Sequence, residues 1–227
     1  MMKISGTDIE YRRITTPRAA AIAGILFGLL FGASLALMRS AIPAVVSADT
    51  SWAQTGAWKI NLALGLMPFA GIAYLWFIGV VRDRLGEFED KFFSTVFFGS
   101  SLLFLAMIFI SMAIAGGILT TYLLITGETS DYSVIYFGRA LMLHISNVYA
   151  LRMAGVTMIS LATIWIRTGL MPRWLTVLTF LLALALLVVT NLSSWATLVY
   201  PAWVLLISVF ILWMRLKNPD VQILAAE

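Results

Sequence analysis

The chain has 227 residues, of which 61% are apolar and 11% charged, against about 25% charged in an average globular protein. A soluble domain of this length has too little interior to hide that much apolar surface, so lipid must solvate the excess. The net charge of +4 does not point to nucleic acid, because the basic residues stand at the edges of apolar runs, where membrane topology places them. With no cysteine and a single histidine, His144, the chain cannot build a disulfide framework, a thiolate site, a multi-histidine metal site or a bis-histidine haem site. No metal or other cofactor is expected.

The first 18 residues form a polar tail carrying Lys3, Asp8, Glu10, Arg12, Arg13 and Arg18. Ala19 to Met38 is the first apolar run, about the 20 residues that a bilayer requires. It is too long for the apolar region of a secretory signal, so it reads as a retained helix. Ser40 to Lys59 reads as a polar connection. Ile60 to Val81 is the second span, with a kink expected near Pro68, because proline removes a backbone donor. The charged loop RDRLGEFEDK (82–91) precedes a long apolar run, Phe92 to Ile125. The polar turn Thr126 to Ser133 leads into a second long run, Val134 to Ile166. Trp174 to Thr190 and Trp195 to Met214 complete the set, and residues 215–227 form a C-terminal tail.

The fold expected from this order is all-α: a polytopic membrane bundle of six transmembrane helices. Eleven of the fifteen basic residues fall in the two tails, the 82–91 loop and the turn around Met171. By the positive-inside rule these face the cytoplasm, so both termini are expected there. The general look is that of a bacterial protein of the cytoplasmic (inner) membrane. The third and fourth runs would each span roughly 50 Å as continuous helix, against a hydrocarbon core about 30 Å thick. They are therefore expected to project outside as a hairpin tipped by Thr126–Ser133, covered by the 40–59 connection or by a partner. The rival is a break at Gly116–Gly117.

Helix one carries Ala20, Gly24, Gly28, Gly32 and Ala36, a small residue at every fourth position. Such a stripe lets another helix backbone approach closely, either within the bundle or in a second copy of the chain. Asp83, Glu87, Glu89 and Asp90 could gather a hard cation through oxygen ligands. Acid before a helix N-terminus and the Glu87–Lys91 spacing explain them more simply. Trp52, Trp58, Trp174, Trp195 and Trp213 lie near span ends, where interfacial aromatic anchors belong.

Polar residues inside the fourth run are the candidates for a site, since ionisable groups in a membrane segment usually face the protein interior or water. These are Arg139, His144, Asn147 and Arg152. His144 and Asn147 lie about 60° apart on one helix face, with Arg139 roughly opposite. Arg152 is placed deepest, and is expected to bond carbonyls, hydroxyls or an outer-leaflet anion, with Asn147 and Tyr149 nearby. No intramembrane carboxylate, serine–histidine pair or phosphate-binding loop supports an enzyme. The sequence fits an accessory protein that binds membrane lipids, a membrane-protein partner or another copy of itself. The alternative is a small permease or channel for an anionic or lipid-like solute. Reporter fusions after Lys91 and after Arg173 are both expected to read cytoplasmic; an outside reading at either position would remove the six-span scheme.

Overall fold

The computed structural model describes residues 6–41, 51–86, 91–124, 133–188 and 194–217, and every described element is helical. In chain order these are α1 (Gly6–Ala41), α2 (Ser51–Gly86), α3 (Lys91–Leu124), α4 (Ser133–His144), a π-helical turn (Ile145–Ala150), α5 (Leu151–Thr168), α6 (Arg173–Val188), a 3-10 turn (Ser194–Leu198) and α7 (Val199–Lys217). Five stretches are long and apolar enough to cross a membrane: Ala19–Ala41, Thr55–Asp83, Phe92–Leu123, Ser133–Thr168 and Trp195–Met214. The fifth expected span corresponds to α6, apolar but only 16 residues long. The 82–91 loop beyond Gly86, the 126–133 turn up to Tyr132, and the 42–50 segment with Asp49 lie outside the described residues.

Helices run further than apolar runs. The polar tail is helical from Gly6, and α2 starts at Ser51 rather than at Ile60. Hydropathy marks where a helix leaves lipid, whereas its hydrogen-bond ladder continues as long as the next residue can take helical angles. Likewise Gly116 and Gly117 do not break α3. Gly116 sits where an added Cβ would meet the Leu64 side chain of α2, so its role is close approach. Helix α5 ends as sequence chemistry dictates. Gly169 adopts φ 67°, its N–H reaches the Trp165 carbonyl at 2.9 Å, and Pro172 then starts α6, its carbonyl accepting from Leu175 and Thr176.

Successive helices are neighbours in space: α1 packs on α2, α2 on α3, α3 on α4 and α5, α5 on α6, and α7 returns against α1. Between α6 and α7 the ring is closed by large side chains, with Trp203 Nε1 donating to Thr179 Oγ1 at 3.0 Å and Trp174 meeting Phe210 edge-on at 6.0 Å. The centre is aromatic. Phe27 and Phe31 of α1, Tyr74 of α2, Phe104 of α3 and Tyr200 of α7 are all fully or almost fully buried and pack at ring separations of 4.5–6.5 Å. The two tyrosine hydroxyls share a hydrogen bond of 2.5 Å. Beside them Ser100 and Ser101 of α3 bond to Thr157 of α5 at 2.9 and 3.4 Å. These polar contacts tie four helices together where no water is available to take their place.

The small-residue stripe splits in two. Ala20, Gly24 and Gly28 are buried, and Cβ atoms at the two glycines would run into Ser208, Phe77 and Leu205. Gly32 has nothing within 4 Å of an added Cβ, and Ala36 is exposed. A four-residue repeat drifts by about 40° per step on a helix of 3.6 residues per turn, so five positions at this spacing cannot stay on one face. The buried half serves packing of α1 within the bundle.

Four of the anchor tryptophans, Trp58, Trp174, Trp195 and Trp213, are at least half exposed, as side chains at a lipid–water boundary should be. In detergent, Tyr74→Phe and Tyr200→Phe should each lower stability. Their double-mutant cycle should return a coupling of about 0.6–1.7 kcal/mol, the range found for polar pairs in membrane bundles. Gly28→Val should weaken the α1–α7 contact, and Gly32→Ala should leave the melting temperature almost unchanged.

Candidate functional site

The end of the bundle where α1 stops and α7 starts is the outer end in the expected topology. Three helices there present the same spacing to one another. Leu35, Met38 and Arg39 on α1 stand at i, i+3 and i+4, as do Ile108, Ser111 and Met112 on α3. On α4 and the π turn, Arg139, Met142, Leu143 and Ser146 follow at i, i+3, i+4 and i+7, and these spacings each define one helix face. The three faces, with Asn147 and Trp195, enclose a cavity of about 290 Å³.

The π turn shapes the polar wall. Its wider turns break the α-helical hydrogen-bond register, a feature often met at functional sites. The Met142 carbonyl just before it accepts hydroxyl hydrogen bonds from Ser111 and Ser146, both at 3.0 Å. Asn147, in the second position after Ile145, turns its side-chain oxygen to Arg39, whose Nη2 donates at 3.1 Å. This bond joins α1 to the π turn. Arg39 is half-buried and Arg139 also half-buried, so two guanidiniums share one recess. No carboxylate lines the cavity among the described residues. A guanidinium keeps its proton at any physiological pH, so both are cationic.

One turn deeper the recess ends. Phe31 lies one turn before Leu35, and Phe104 one turn before Ile108. Their rings pack at 5.8 Å, and Tyr74 and Tyr200 both pack on Phe104. The aromatic centre therefore lies one turn beneath the recess.

The sequence-derived candidates divide. Arg139 and Asn147 line the cavity. Arg152 does not: it is half-buried, and its Nη1 reaches the Val148 carbonyl at 3.4 Å, one turn toward the outer end. His144 and Tyr149 are exposed and do not line it. Asn147 was expected beside Arg152, but its amide oxygen is taken by Arg39. Arg39, Ser111 and Ser146 were missed. A helical-wheel comparison of Arg139 with Ser146, seven residues on and about 20° away, would have revealed the shared face. The partner helix could not have been found that way.

No family model matches the chain, and no curated protein or solved structure matches it. Its apolar helices are those of a membrane protein, and any more specific reading rests on the cavity alone.

Asn147→Ala removes the acceptor of a half-buried guanidinium. It should cost about 1–3 kcal/mol, the range for leaving a buried polar group short of its bond. Arg152→Leu removes a long, weak bond to an already helical carbonyl and should shift stability by under about 1 kcal/mol in either direction. Thermal unfolding of both variants in the same detergent checks the contrast.

Proposed function

We propose that this chain is a non-enzymatic, multi-pass membrane protein that binds a lipid or a membrane partner at its outer end. The observation that carries this reading is the pairing of a two-arginine cavity with a bundle centre filled by buried aromatic side chains. Phe31, Phe104, Tyr74 and Tyr200 fill the axis beneath the cavity, so an anion entering there meets a floor rather than a path. A binding role needs only the recess. The permease alternative needs the floor to open.

Six spans with both termini in the cytoplasm remain the topology that fits best, with α6 as a short sixth span. The hairpin proposal also gains support, and a third member. Helix α3 runs 34 residues, the stretch Ser133–Thr168 runs 36, and α2 runs 36. All three exceed what a hydrocarbon core of about 30 Å requires. Around this end Leu123, Val134, Tyr136, Phe137 and Leu141 are exposed. Apolar side chains gathered in this way suit contact with lipid or another membrane protein better than contact with water.

Reconstituted into liposomes as the sole protein, the chain should pass neither chloride nor phosphate above the empty-vesicle leak. Purified in a mild detergent, it should carry stoichiometric lipid or protein visible by mass spectrometry. Protein-dependent anion flux would replace the binding reading with the permease one.

A further inference from the structure

We infer that the outer cavity seats the carbonyl end of an acyl chain, its oxygen held by Arg39 and Asn147 and its first methylenes against the methionines. This rests on the lipid-binding reading above and narrows the ligand to a fatty acid or the acyl ester of a bilayer lipid. The first argument is the balance of donors and acceptors in the wall. Among the described residues, Arg39 directs one donor, on Nη2, to Asn147. A guanidinium has five N–H donors, so that bond orients the group and leaves most of its donors over. The Asn147 side-chain oxygen accepts from Arg39 and, at 3.5 Å, from Ser146, while its amide N–H groups are not used among the described residues. The Met142 carbonyl is already taken by the Ser111 and Ser146 hydroxyls. Arg139 has contacts of its own, and neither a guanidinium nor the Trp195 indole carries an acceptor atom. The wall therefore offers a ligand mainly N–H groups, and the ligand that suits it presents oxygen lone pairs.

The second argument is size and lining. At about 290 Å³ the cavity falls at the lower end of the roughly 300–1,000 Å³ usual for small-molecule sites. That admits the end of one chain, not a headgroup with its glycerol and two chains. Apart from the arginines, Asn147, Trp195 and two hydroxyls, the walls are leucine, isoleucine and methionine, and methionine adapts its shape to an alkyl chain. A ligand with one acceptor group and an apolar body matches both parts of the lining. The third argument is position. Trp195, half exposed, lines the cavity, and tryptophan favours the headgroup level, just where the acyl chains of a bilayer begin.

The test uses the full chain, delipidated in a mild non-ionic detergent, with dodecanoate, methyl dodecanoate and dodecanol as separate probes. The three share one chain length, and only the first two carry an acyl carbonyl. Native mass spectrometry counts bound probe, and a thermal-shift titration gives apparent affinity. Dodecanoate should bind at least about tenfold more tightly than dodecanol, as expected for a hydrogen bond to a charged donor. Equal gains from methyl dodecanoate assign the site to the acyl ester of a lipid, and a gain from the acid alone assigns it to a free fatty acid. Arg39→Met should weaken dodecanoate binding by at least about tenfold, and Arg152→Gln should leave it within about twofold. Should Arg39→Met fail to fold, Leu143→Phe narrows the recess with its polar wall kept and should weaken binding to a similar degree. Dodecanol bound as tightly as dodecanoate, or dodecanoate binding unchanged in the folded Arg39→Met or in Leu143→Phe, overturns the site. If lipid still co-purifies while no probe binds, the acyl seat is overturned and the binding reading stands. Failure of that reading itself shows instead as anion flux in liposomes.

Discussion

A hydroxyl placed at the centre of a membrane bundle must find its partner inside the protein, because lipid offers neither donor nor acceptor and each orphaned group costs several kcal/mol. The interior of this chain is arranged around that constraint. Tyr74 and Tyr200 meet across the bundle, and Ser100, Ser101 and Thr157 meet beside them. Each contact fixes the rotation and depth of two helices at once. Apolar packing cannot do this alone, since lipid tails are as apolar as leucine and separating helices in lipid exposes nothing to water. Around these bonds the rings of Phe27, Phe31 and Phe104 supply shape. One buried hydroxyl departs from the rule: Ser208 makes no hydrogen bond among the described residues. It occupies the space that Gly24 leaves open on α1, so its presence is explained by size rather than polarity.

At the outer end the same constraint is met differently. The π turn disturbs the regular ladder of the fourth long helix, and the Met142 carbonyl there takes hydroxyls from Ser111 and Ser146. Asn147 is thereby presented to α1 instead of lying flat on its own helix. The result is a rigid wall with a recess, in contrast to the filled centre one turn below. The change from filled to open occurs between Phe31 and Leu35 on α1, and between Phe104 and Ile108 on α3. A single helical turn separates the packed floor from the arginine-lined recess.

How much of this could be read from the sequence follows from range. Apolar runs, basic asymmetry and boundary tryptophans are local, and the structure has helices long and apolar enough to span a membrane over five of the six expected runs. The Gly169–Pro172 turn was equally visible, because its chemistry lies within four residues. Helix starts were not, since polarity rather than backbone geometry set the expected limits at Ala19 and Ile60. The small-residue stripe was half legible: its spacing identified α1 as a packing helix, but its drift around the axis takes Gly32 and Ala36 off the interface. The site was hidden most. Arg39 and Asn147 are 108 positions apart, Tyr74 and Tyr200 126 apart, and nothing local in one helix names its partner in another. Comparing polar residues only with His144 also obscured the face that Arg139 shares with Ser146.

The three arginines of this end show why the cavity, and not polarity in general, carries the functional argument. Arg152 does what an arginine in a membrane helix does by default. Its side chain leans toward the helix N-terminus, as helical side chains must, and ends on the Val148 carbonyl one turn back along the helix. That arrangement explains itself, and it needs no ligand. Arg39 stands at the last turn of α1, and its guanidinium is directed across to Asn147 on the π turn. Arg139 lines the same recess from the opposite helix. The grouping of these two with Asn147 in one recess, which Arg152 does not join, is what sets this end of the bundle apart.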